Sequence, residues 1–167
     1  MDSVKKWVVG YAWRPLSYKD QSVGLDIWAR QLEIAELPYR EVMKQVGRWD
    51  PDRAPRYAVL TRLINPLLGP YLSARDSAIA QAGLGQTAMA LMAHRDRFGS
   101  YPASLAELRR KLGWRIPDDP FSGRPFVYRR EGVGFVLYSW GPNLKDDDGT
   151  EDTRDASRGD IVWTCDK

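Results

Sequence analysis

The apolar residues of this 167-residue chain recur at helical spacing as far as Leu112 and at strand spacing from Pro125 onward. A helix buries a stripe that returns about every 3.6 residues, whereas a half-buried strand buries every second one, so no segment serves both patterns. Helices are thus grouped ahead of strands, and the expected class is α+β rather than alternating βαβ units.

Leu25, Trp28, Leu32 and Ala35, widened by Ile27 and Ile34, predict a helix from about Val23 to Glu36. Pro38 opens a second one, with Tyr39, Val42, Met43 and Val46 as its apolar side and Gly47 as its stop. Trp49 to Pro55, with Pro51, Asp52 and Pro55, reads as a linker, because prolines withhold backbone donors and restrict their neighbours. It divides a helical region, 1–55, from a second domain, 56–167. From Tyr57 an apolar pattern through Leu60, Leu63, Ile64, Leu67 and Leu68 meets Pro66 and Pro70, where a kink or break is expected.

A long helix follows from about Leu72 to Arg97, with Ile79, Ala82, Gln86, Met89, Ala90 and Ala93 along one side. Its small residues, Ala74, Ala78, Ala80, Ala82, Gly83, Gly85 and Ala88, admit another backbone closely. Ser104 to Glu107 matches a capping box, opening a short helix that runs to Leu112 and stops at Gly113. Pro125–Arg130 and Val133–Ser139 read as two strands joined by a Glu131-Gly132 turn, and Asp160–Thr164 as a third. The expected fold is an N-terminal helical region, then a long helix on an antiparallel sheet of about three strands with a long acidic loop. Phe126, Tyr128, Phe135 and Leu137 should supply part of the core between helix and sheet.

With 43% hydrophobic residues and seven tryptophans, the chain has enough apolar surface to offset its ordering entropy, which excludes a disordered protein. The net charge of +3 conceals an asymmetry: residues 141–167 hold 4 basic and 8 acidic side chains, against 21 and 14 in residues 1–140. The basic excess is scattered and no reading motif accompanies it, so nucleic acid is not an expected partner. The apolar stretch Trp7–Trp13, broken by Gly10, is too short to span a membrane and lacks a small-residue cleavage site. Trp7, Trp13, Trp28 and Trp49 fill a core or form an aromatic patch that docks a protein partner.

Asp146, Asp147, Asp148, Glu151, Asp152 and Asp155 crowd one loop with Asn143, Gly149 and Thr150. Calcium takes six to eight hard oxygen ligands, so such a density of donors is one it uses; the alternative is a solvated acidic face. An EF-hand is excluded, since a frame starting at Asp146 places Glu151 where glycine is required and Ser157 where the bidentate glutamate belongs. His94, the only histidine, reads as an exposed or capping residue near a helix C-terminus. One histidine and one distant cysteine, Cys165, assemble neither a zinc site nor a Cys-His pair, and no serine lies in a nucleophile elbow. The chain therefore reads as non-enzymatic; a hydrolase with paired carboxylates stays open, because spatial separation is not written in the sequence.

The order of a long helix, Phe98-Gly-Ser-Tyr101-Pro102, a short helix, Asp119-Pro120-Phe121-Ser-Gly123, a tyrosine-bearing hairpin and Leu137-Tyr138-Ser139-Trp-Gly141 resembles the periplasmic domain of the major pseudopilin of type II secretion systems. The likeness covers residues 74–163. It implies a structural or interaction module of an envelope or secretion apparatus, in the periplasm or cell envelope, with calcium in the loop. By that resemblance the ligands are the Trp140 carbonyl, Asn143 at a position the family gives to aspartate, and Asp146, Asp147, Asp148 and Asp152. The family's N-terminal hydrophobic helix has no counterpart in residues 1–70. A soluble relative, or the soluble part of a longer membrane protein, is expected, as is the rival reading of a soluble adaptor that reuses the fold to bind another protein.

Overall fold

The computed structural model describes residues 18–26, 29, 32–46, 68–152 and 158–165. The chain divides into two compact units, Met1–Leu72 and Ser73–Lys167. In the first, residues 18–26 and 32–35 are helical, so the helix expected from Val23 starts earlier. Its inward face also differs from the expected one: Asp20 is buried and Val23, Gly24, Ile34 and Ala35 are half-buried, whereas Leu25 and Leu32 are exposed. Helix α1, Tyr39–Val46, begins directly after Pro38, whose carbonyl accepts from the Glu41 and Val42 amides. It buries Tyr39 and Val42 and leaves Met43 exposed. Ile27, Trp28, Gly47, the 49–55 linker and the pattern from Tyr57 to Leu67 lie outside the described residues.

Helix α2, Leu68–Phe98, is a 31-residue helix. Pro70 causes no break, because it occupies the first turn, where its missing N–H would have had no intrahelical partner. Of the side marked by Ile79, Ala82, Gln86, Met89, Ala90 and Ala93, all but Ala90 prove exposed, and the buried side is Ala80, Leu84, Thr87, Ala88, Leu91 and His94. Both stripes recur at helical spacing, and the choice between them falls to the bulkier leucines and to Gly83. A Cβ on Gly83 would sit 2.8 Å from the Phe126 ring and 3.2 Å from Pro117, so helix and sheet meet at a residue without a side chain. Close approach therefore operates at Ala80, Gly83 and Ala88, while Ala74, Ala78 and Ala82 face outward.

At the end of α2, the Gly99 amide donates to the Arg95 carbonyl with Gly99 at φ 78, a left-handed helix stop. Helix α3, Leu105–Leu112, has Ser104 as N-cap and Gly113 as left-handed C-cap. The capping box is modified: the Glu107 amide donates to Ser104 Oγ, but the Glu107 carboxylate accepts from the Ala103 amide, one residue before the cap. Lys111 at 2.7 Å and, after it, the Ala103 amide hold the Glu107 carboxyl down at about 2.

Strands β1 (Val127–Glu131), β2 (Gly134–Ser139) and β3 (Ile161–Cys165) form an antiparallel sheet in the order β1-β2-β3. Glu131 pairs with Gly134, so the two-residue turn is Gly132-Val133, one position beyond the expected Glu131-Gly132. Gly132, at φ 55, supplies the positive φ such a turn needs at its first central position. The central strand β2 is buried on both faces apart from a half-buried Val136. On one face Phe135 meets Tyr101 edge-on at 4.9 Å, and Leu137 pairs with Trp163, whose ring lies 3.7 Å from a Cβ built on Gly85. On the other, Gly149 of the acidic loop covers Tyr138 and Val136.

Candidate functional site

The base of the loop after β2 is fixed by a carboxylate that meets no cation among the described residues. Asp119 is 1% exposed and accepts four hydrogen bonds: from Phe121 N (3.1 Å), Ser122 N (3.1 Å), Ser139 Oγ (2.6 Å) and Trp140 N (3.3 Å). Two of these close the Asp-Pro turn and two seize the end of β2. Ser139 Oγ in turn accepts from the Gly141 amide. Gly141 has φ 67 and lies against the Gly159 carbonyl so closely that any Cβ would collide with it. The departing and returning arms of the loop thus touch through glycine backbones before β3 begins.

Above this base the acidic residues divide their work. Tyr138 OH donates to Asp146 Oδ1 at 3.0 Å, and the Asp148 amide donates to the same oxygen at 3.1 Å. Asp148 turns outward, where its carboxylate and carbonyl are both gripped by the Arg129 guanidinium of β1. Asp160, buried just before β3, accepts from Asp147 N at 3.3 Å and Gly149 N at 2.7 Å, one on each oxygen. Asn143 Nδ2 lies 2.6 Å from both Asp147 Oδ2 and the Arg158 carbonyl, while its Oδ1 accepts from Lys145 N. Leu144 and Asp148 adopt left-handed backbone at φ 59 and 58, a conformation that costs a side-chain-bearing residue about 1–2 kcal/mol.

The electrostatics follow from this crowding. Burial pushes the Asp160 carboxyl above the usual aspartate range, the two backbone donors oppose that, and the charges of Asp147 and Asp146 push it further up. The Tyr138 phenol is raised to about 12, first by burial and then by its bond to Asp146. The site is rich in negative charge, against which Arg129 sets one cation, at Asp148.

Of the residues singled out by sequence, Asn143, Asp146, Asp147 and Asp148 come together around Gly149 and Asp160. Trp140 is held through its amide, which serves Asp119, and through its ring, which sits under the Arg124 guanidinium. Asp152 packs its backbone amide against Gly159 at the loop base, and Asp155 lies outside the described residues. Among the described residues, no three His, Cys, Asp or Glu side chains gather as a metal-holding group. Two oxygens, Asp147 Oδ2 and the Arg158 carbonyl, converge on the Asn143 Nδ2 amide, while the Asn143 oxygen is turned to Lys145 N. An N–H donor holds the place between them, and calcium would have to displace it to reach a mixed carboxylate and carbonyl set.

Asp160 and Asp119 carry more of the geometry than the sequence discloses. Asp160 reads as the first residue of a strand, and Asp119 as a turn former. The one usable signal is that each precedes an apolar segment it then helps to anchor. His94 is also corrected: it is 1% exposed, with Nδ1 2.8 Å from the Ser100 carbonyl and its ring 4.6 Å from Phe98. A carbonyl only accepts, so Nδ1 carries the proton. Cys165 Sγ lies 3.5 Å from Tyr101 OH, on the far side of the sheet register from the loop.

No protein-family model, curated protein or solved structure matches the chain. Among the described residues, no helix is long and apolar enough to cross a membrane.

Proposed function

We propose that the unit Ser73–Lys167 is a non-enzymatic structural and interaction module of the pseudopilin kind, whose loop between β2 and β3 is ordered by calcium. The observation that carries this reading is the crowding of Asp146 and Asp147 beside the buried Asp160 carboxyl, with the Arg158 carbonyl on the other side of the Asn143 amide. Calcium would be held by Asp147 Oδ2 and the Arg158 carbonyl in place of the Asn143 N–H donors, with Asp146 and Asp160 behind them; the Asn143 oxygen joins the set once its carboxamide turns over. Once bound it supplies the positive charge that lets these acids lie together.

The chain's own residues do the rest. Tyr138 and Asp160 strap the loop onto the outer face of β2, so a cation that closes the loop also fastens β3. The family's motif residues support the same reading by what they touch. Tyr101 and Pro102 receive the sheet through Arg130 and Tyr128, and Ser139 engages Asp119. A non-catalytic role accords with His94 and Cys165 being committed to Ser100 and Tyr101, and with both oxygens of Asp160 serving backbone amides. A place in the envelope or a secretion apparatus, and a protein partner there, go with this reading.

Amide hydrogen exchange tests it directly. With millimolar calcium, exchange at residues 143–152 should slow relative to chelator, and Asp147→Ala should abolish the slowing. Equal exchange in the two conditions would leave the loop a solvated acidic face.

A further inference from the structure

We propose that the surface formed by the C-terminal end of α2 and by α3 docks on an anionic phospholipid bilayer. Residues 95–115 hold six basic side chains against two acidic ones. Both acids are already engaged, Asp96 with Arg95 at 3.8 Å and Glu107 with Lys111 at 2.7 Å. Arg97, Arg109, Arg110 and Arg115 are all exposed and face no acid among the described residues. Helix α3 buries Leu108, so its three successive cations at 109–111 spread over its outer surface.

Two large aromatic rings stand among these charges. Phe98 is 42% exposed, with Lys111 Nζ 4.9 Å and Arg97 Cζ 5.5 Å from its centroid, which fixes the end of α2 beside the end of α3. Trp114, just past the Gly113 cap, is 45% exposed. Basic residues in the last turn of a helix would be accounted for by its dipole alone. Exposed Phe and Trp in the same 95–115 segment would not, since leaving such rings in water forgoes their burial.

Cations that reach headgroup phosphates, with aromatic rings at the acyl boundary, are the side-chain set a monotopic surface presents to an anionic leaflet. Duplex nucleic acid is a poorer fit. The end of α3 that would enter a groove carries Ser104 and Glu107, and the cations lie at its other end.

The test is co-sedimentation of the full chain with phosphatidylcholine vesicles, with and without phosphatidylglycerol, at low and high salt. Binding is expected only with phosphatidylglycerol and should weaken with salt. Arg109→Glu with Arg110→Glu should lower the partition coefficient at least about tenfold. Trp114→Ala, which keeps the charge, should also lower it. The same charge reversal at the exposed Lys19 and Lys44 should change it less than the arginine pair does. Melting curves matching the wild type establish that each variant is folded. Failure to sediment with phosphatidylglycerol overturns the proposal, as does an arginine pair no more effective than the lysine pair. So does indifference to Trp114→Ala, which would mark a general attraction to polyanions.

Discussion

Ser139 Oγ donates a 2.6 Å hydrogen bond to Asp119 Oδ1, joining the last residue of β2 to a turn twenty positions earlier in the chain. The same buried carboxylate holds the Trp140 amide, so one side chain decides where the strand ends and the loop begins. Asp119→Ala would strand a hydroxyl and several amides in a dry site, each at about 1–3 kcal/mol. A loss of about 3 kcal/mol or more is expected in denaturant unfolding. Ser139→Ala removes one of four bonds and should cost about 1–2 kcal/mol. A double-mutant cycle should show the two losses to be strongly non-additive; simple additivity would deny the link.

Gly83 and Gly85 make opposite predictions for the same substitution. Gly85→Ala places a Cβ 3.7 Å from Trp163, ordinary contact, and should gain about 1 kcal/mol from helix propensity. Gly83→Ala places one 2.8 Å from the buried Phe126 ring, and overpacking of about 1–3 kcal/mol offsets that gain. Thermal midpoints should therefore rise for the first variant and stay level or fall for the second.

The elements were largely legible in the sequence, as were Phe126, Phe135 and Leu137 as the buried side of the hairpin, but the inward face of α2 was not. Capping at Ser104 and Gly113, the hairpin turn within one residue and the third strand within one residue all follow from local rules: a side chain that satisfies an amide, a glycine that accepts positive φ, an alternation of period two. Which side of α2 is buried depends on what Phe126 and Pro117 bring to Gly83, and that is information held elsewhere in the chain. The acidic loop was legible as a cluster of donors. That Asp148 would be claimed by Arg129, and that Asp160 would be the buried member, depends on the register of β1 and β3 against β2. Tyr101 and Ser139 make ties to Cys165 and Asp119, far from them in the chain, which no local rule foretells.

Two tyrosines should resist ionisation. Burial raises Tyr128 to about 12, and burial with the Asp146 bond raises Tyr138 to about 12. A phenol whose folded pKa exceeds its unfolded one stabilises the fold fully below about pH 10 and loses that contribution as pH climbs through about 12. Phenolate absorbance in the folded protein should thus show a late step near 12, reduced in Tyr128→Phe and in Tyr138→Phe. A titration complete near pH 10 without unfolding would contradict the burial of these hydroxyls.

Calorimetric titration of calcium into the chain, paired with thermal melts in millimolar calcium and in chelator, tests the central claim most directly. A cation bound by the folded loop and not by the open chain adds about 2.7 kcal/mol when its concentration is a hundredfold above its dissociation constant. The account predicts saturable uptake and a higher midpoint with calcium. Magnesium should replace it poorly, and Asp146→Ala with Asp148→Ala, or Asp147→Ala alone, should remove the difference. No uptake and coincident melts would contradict it, leaving the loop closed by the Asn143 amide and the backbone donors to Asp160.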